Sequence, residues 1–149
     1  MKFTDGFWQI RPGVTPHFPV QVHEVETGPD SMTVYGATRP IHHRGDTLNA
    51  PIFTVRFSSP MANVIHVQMW HFKGVQPRKP AFQLNTPGAE VKIQQDDQAA
   101  VLTSGQLSVR VAKTGDWRVD FKDGERVITS SGWRGFQRRR SSAYWVEKQ

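Results

Sequence analysis

Residues 91–129 read VKIQQDDQAAVLTSGQLSVRVAKTGDWRVDFKDGERVIT. In this stretch Leu107, Val109 and Val111 alternate with Ser108, Arg110 and Ala112. Trp117, Val119 and Phe121 alternate in the same way with Arg118, Asp120 and Lys122. A repeat of two sends one set to a core face and the other to solvent, which is the signature of β-strands. Turn formers divide the runs. Asp96-Asp97 separates Val91–Gln95 from Ala99–Thr103, and Ser104-Gly105 separates that run from Gln106–Lys113. Asp123-Gly124 separates Trp117–Lys122 from Arg126–Thr129. Short Gly-containing turns between alternating runs read as hairpins, and successive hairpins make a meander.

The rest of the chain extends the pattern. Phe53, Val55 and Phe57 alternate with Thr54, Arg56 and Ser58; Phe18, Val20 and Val22 alternate with Pro19, Gln21 and His23. Residues 63–72 are apolar on both phases, so a strand covered on both faces is expected there. No 11-residue window carries an amphipathic helical stripe. About ten to eleven candidate strands at spacings of about 8–12 residues read as an antiparallel β-sandwich or barrel. Residues 74–90 hold three prolines and are expected to be a surface connection within one domain, 1–149. Ser130–Ser142 reads as a loop, and Ala143–Val146 resumes a strand-like run close to the last residue, so the sandwich is expected to be incomplete and the chain a fragment of something longer.

Composition narrows the function classes. A length of 149 residues suits one domain with a sizeable core. With no cysteine there is no disulfide, no thiol nucleophile and no thiolate metal site, and the composition fits a reducing, cytoplasmic compartment. No apolar run is long enough for a membrane helix, and the opening residues lack a signal-type apolar core. The net charge of +6 is unevenly spread. Residues 1–125 carry 13 Lys+Arg and 12 Asp+Glu, whereas residues 126–149 carry 6 Lys+Arg against Glu147 alone. The basicity belongs to the C-terminal segment, which is weak ground for a nucleic-acid partner.

No catalytic, cofactor or metal residue emerges from the motifs. Read as strand residues, the neighbours His42 and His43 point to opposite faces, as do His66 and His71; a bulge is expected between His17 and His23. Asp30, Asp46, Asp96, Asp97, Asp123 and Glu125 sit on turn signals, where Asp bonds its own backbone. Glu24 and Glu26 share a strand face but read as solvated. A Gly-x-Ser-x-Gly elbow and Gly-rich phosphate loops are absent from the sequence. Arg134-Gly135-Phe136-Gln137-Arg138-Arg139-Arg140 mixes cations with an aromatic, a pattern that binds single strands or docks on carboxylates. Trp117 and Trp70 read as core, while Trp8, Trp133 and Trp145 are candidates for a sugar-stacking platform.

Six stretches, in order, resemble α-xylosidases of glycoside hydrolase family 31. They are Asp5–Gly13, Pro19–Glu26, Thr47–Pro60, His71–Gly74, Ser104–Val111 and Asp123–Thr129. The resemblance implies the amino-terminal β-sandwich, of the galactose-mutarotase-like kind, of a large retaining α-glycosidase. It implies a following (β/α)8 barrel that carries both catalytic Asp residues, neither of which has a counterpart in this chain. The expected role is to pack on that barrel and shape the entrance for a carbohydrate substrate bearing a terminal α-xylosyl or related group. The chain alone is expected to be inactive and without cofactor, and to self-associate through an open sheet edge or through Tyr144–Val146. The alternative expectation is an autonomous carbohydrate-binding sandwich.

Overall fold

A computed structural model describes residues 14–70, 88–132, 135 and 138–141. Eleven strands are found among the described residues, together with one 3-10 turn at Arg44–Thr47. They are β1 Val14–His17, β2 Gln21–Thr27, β3 Ser31–Ala37, β4 Ile52–Ser58, β5 His66–Trp70, β6 Lys92–Gln95, β7 Ala99–Ser104, β8 Leu107–Ala112, β9 Val119–Asp123, β10 Arg126–Ser131 and β11 Arg138–Ser141. They form a four-stranded antiparallel sheet (β2-β3-β4-β5), a five-stranded one (β10-β9-β8-β7-β6) and a two-stranded pair (β1-β11). The five-stranded sheet is a meander in sequence order, as its turn spacing dictates.

The two larger sheets face each other across one apolar core. Met32, Val34, Phe53, Val55 and Phe57 come from the four-stranded sheet; Ala100, Leu102, Val109, Val111, Trp117 and Val119 come from the five-stranded side. All eleven are buried. Burying each large apolar side chain stabilises the fold by about 1.5–3 kcal/mol. The pattern of two therefore locks the register, because a slip of one residue would turn every core side chain to water.

Polar and backbone contacts clasp the sandwich at both ends. At one end the Trp117 amide donates to the Val20 carbonyl at 2.8 Å, and the indole lies against Gly36 of β3. At the other end the hydroxyls of Ser59 and buried Ser104 meet at 2.7 Å. There too, Asn63 Oδ1 accepts from the Gln106 amide at 2.7 Å. Asn63 holds φ +63, a left-handed conformation that Asn tolerates better than other non-glycine residues.

Several expectations need correction. Both glycine hairpins close one residue later than the dipeptides suggested. The loops are Gly105-Gln106 and Gly124-Glu125, with Gly at the first loop position at φ +59 and +54. A type II′ hairpin needs positive φ at that first position, whereas an Asp-Gly type I′ turn would put Gly second. The stretch 63–72 is not covered on both faces over its described part. Strand β5 is the sheet's outermost described strand, with Met69 39% exposed and Trp70 only half-buried. The expected bulge lies at His23, and the extra residue shifts the phase so that Val22 and Val25 both pack on the core. Pro19, not its neighbours Phe18 and Val20, is fully buried. The loop expected over Ser130–Ser142 gives way at Arg138–Ser141 to β11, which pairs with β1. Ala143–Val146 and most of 74–90 lie outside the described residues.

Candidate functional site

The face of the five-stranded sheet that points away from the core carries the polar half of each alternation. Cross-strand register aligns Val101, Arg110, Asp120 and Ser130 in one row, and Lys92, Thr103, Ser108, Lys122 and Val127 in the next. The two glycine hairpins bound this face and are joined by a bond from the Gly124 amide to the Gln106 carbonyl, 3.1 Å. Between them lies an open depression of about 380 Å³. Its polar lining includes Thr103, Gln106, Ser108, Arg110, Lys122 and Glu125. Lys122 Nζ is 3.1 Å from Glu125 Oε2.

Asp120 stands in the first of these rows and is 7% exposed. It accepts from the Ser130 hydroxyl at 2.6 Å and from Arg118 Nε at 2.9 Å. Burial pushes its carboxyl up, but the Ser130 hydrogen bond and the Arg118 hydrogen bond and charge outweigh burial and hold it below the ordinary 3.8. Alternation alone assigns Asp120 to a solvent face; sequence reasoning missed that neighbouring side chains roof it over.

Of the turn acids, Asp46 and Asp96 bond nearby backbone amides as their positions implied, whereas Asp30, Asp123 and Glu125 meet the side chains of Ser31, Arg126 and Lys122. Asp96 Oδ1 accepts from the amides of Gln98 and Ala99, both at 2.7 Å, which lowers its pKa. Asp46 Oδ2 accepts from the amides of His42 and His43 at 2.9 and 3.1 Å, with the same effect. That contact overturns the strand reading of the histidine pair. His42 and His43 sit in a loop, and His43 caps the 3-10 turn by accepting from the Gly45 amide at 3.0 Å. Arg39 closes this loop by donating to the carbonyls of Asp46 and Leu48.

Glu24 and Glu26 do share a face and are exposed, and Glu26 accepts from the Tyr35 hydroxyl at 3.0 Å. His17 and His23 fall in different sheets. Among the described residues no three His, Cys, Asp or Glu groups converge as metal ligands. No aromatic side chain among the described residues lines the depression. Trp8, Trp133, Trp145, His71 and Arg134 lie outside the described residues, so the sugar-stacking platform and the basic cluster as a whole are not assembled by the described structure. No helix among the described residues is long and apolar enough to cross a membrane.

The fold and this face define a two-layer antiparallel β-sandwich with a polar depression on one outer surface. No family model matches the chain. Among curated proteins, it is 32% identical over 131 residues to the α-xylosidase XylQ of Lactiplantibacillus pentosus, covering 88% of this chain and 17% of that protein. It is 30% identical over 112 residues to an α-xylosidase of Emericella nidulans, covering 74% of this chain and 14% of that protein. The chain is thus similar to α-xylosidases along most of its own length while spanning about a sixth of theirs. This bears out the resemblance to α-xylosidases read from the sequence.

Proposed function

We propose that the chain is the amino-terminal β-sandwich domain of a retaining α-glycosidase of the α-xylosidase type. It carries no catalytic group, packs on the catalytic (β/α)8 barrel of the whole enzyme and shapes the approach of a carbohydrate substrate. The observation that carries this reading is the asymmetry of coverage: 88% of the chain matches 17% of a much longer α-xylosidase. The parent reaction would be hydrolysis of a terminal α-xylosyl bond by double displacement. That chemistry needs two carboxyl groups about 5–5.5 Å apart flanking the bond. Among the described residues Glu125 is the one carboxylate lining the depression, and Glu24 and Glu26 lie on an exposed strand face. The absence of cysteine suits a cytoplasmic parent.

The test has two arms. The purified chain, incubated with an aryl α-xyloside, should release no sugar above buffer. Grafting it in place of the matching segment of the Lactiplantibacillus enzyme should preserve xyloside hydrolysis, whereas deleting that segment should abolish it. Sugar release by the chain alone, or full activity after the deletion, would refute the reading.

A further inference from the structure

We propose that the depression between the Gly105-Gln106 and Gly124-Glu125 turns is a binding site for an anionic sugar, a single ring bearing a carboxylate or phosphate. Arg110 supplies the first reason. It is half-buried, lines the depression, and has no hydrogen bond or ion pair among the described residues. Asp96 and Asp120 act on it only as charges at longer range, and both already accept shorter bonds from other donors. A guanidinium left with its planar fork of donors open matches a carboxylate or phosphate in two parallel bonds.

Lys122 supplies the second. Its side chain is 21% exposed, and among the described residues its ammonium is held only by Glu125, whose own side chain is fully exposed. With Glu125 fully in water the pair contributes about 0–1 kcal/mol, so an incoming oxyanion displaces Glu125 at little cost. The rest of the lining suits a sugar ring. The hydroxyls of Thr103 and Ser108 have no hydrogen-bond partner among the described residues, and Gln106 lines the depression with them. Gly124 leaves the rim bare: a Cβ there would meet nothing within 4 Å. The volume, about 380 Å³, falls within the ~300–1,000 Å³ of small-molecule sites. The oxyanion rests on this geometry, and the choice of a sugar as its bearer rests on the proposed function.

The test is a titration of the chain with glucuronate, glucose 1-phosphate, acetate and xylose, followed by amide chemical shifts. Glucuronate or glucose 1-phosphate should give saturable shifts at Ser108, Arg110 and Gly124, with acetate about tenfold weaker and xylose silent. Arg110→Met should weaken the charged sugars by about tenfold or more. Glu125→Gln, at an exposed position, should tighten them about two- to fivefold by removing the competing carboxylate. Neither charged sugar binding more tightly than acetate or xylose, shifts confined to other surfaces, or wild-type affinity in Arg110→Met would overturn the proposal. If Arg110→Met loses its folded spectrum, Glu125→Gln decides alone, and unchanged or weaker binding overturns it. A failed titration leaves the domain assignment standing, because that reading is judged by the graft and by sugar release.

Discussion

Gly36 marks a tightly packed point of the core. It sits mid-sheet in β3, opposite Val22 on one side and Phe53 on the other. A Cβ added there would lie 2.7 Å from Trp117 Cζ3 and 3.0 Å from the Pro19 Cβ. Ordinary contact begins near 3.4 Å, so the indole would have to retreat by about 0.7 Å. It has little room to do so, being 2% exposed and tied through its own amide to the Val20 carbonyl. Overpacking of this kind costs about 1–3 kcal/mol. Stiffening the unfolded chain by Gly→Ala returns about 0.4–1 kcal/mol. Gly36→Ala is therefore expected to lose about 1–2 kcal/mol net, or about 2–8 °C in Tm for a chain of this size. Thermal and urea unfolding followed by circular dichroism reads the loss. Trp117→Phe removes the ring atoms that clash, so the double variant should show a coupling of about 1 kcal/mol relative to the sum of the singles. A Gly36→Ala variant that melts within 1 °C of the parent, or strict additivity in the pair, would refute the argument that the indole is wedged on this glycine.

Three further outcomes are expected. Asn63→Ala removes the only side-chain acceptor on the Gln106 amide among the described residues and should cost about 1–2 kcal/mol in urea unfolding, with the slope unchanged. The carboxyls of Asp46, Asp96 and Asp120 all have folded pKa values below 3.8, so their contribution to stability is complete above that value and drains as pH falls through the lower, folded values. Acid unfolding should accordingly set in below about pH 4, and Asp120→Asn, losing about 1–3 kcal/mol at pH 7, should flatten that acid limb; an unaltered limb would argue that Asp120 is not held by Ser130 and Arg118. Strands β5 and β10 each pair on one side only among the described residues, and β10 exposes Val127 and Ile128 at 46% and 52%, so sedimentation of the isolated chain should show concentration-dependent self-association, against which a monomer at high concentration would count.

The sequence by itself determined the all-β class, the meander from Val91 onward and the core positions Phe53, Val55, Phe57, Val109, Val111, Trp117 and Val119, whereas Met32, Val34, Ala100 and Leu102 joined the core only in the structure. Two-residue alternation and turn chemistry are local, and a half-buried strand writes both directly into its residues. It also determined the roles of Asp46 and Asp96, because a turn carboxylate finds its backbone partners within a few residues. What only the tertiary structure decided depends on neighbours remote in the chain. Strand β5 reads as two-sided until its outer position in the described sheet leaves Met69 half in water. Asp120 reads as solvated until Ser130, ten residues on, and Arg118 close over it. The depression at Arg110 has no motif at all, since it is assembled by register: three strands and two turns bring Thr103, Ser108, Arg110 and Lys122 side by side. Periodicity fixes which side of a strand a residue takes, but only the pairing of strands fixes which residues it meets there.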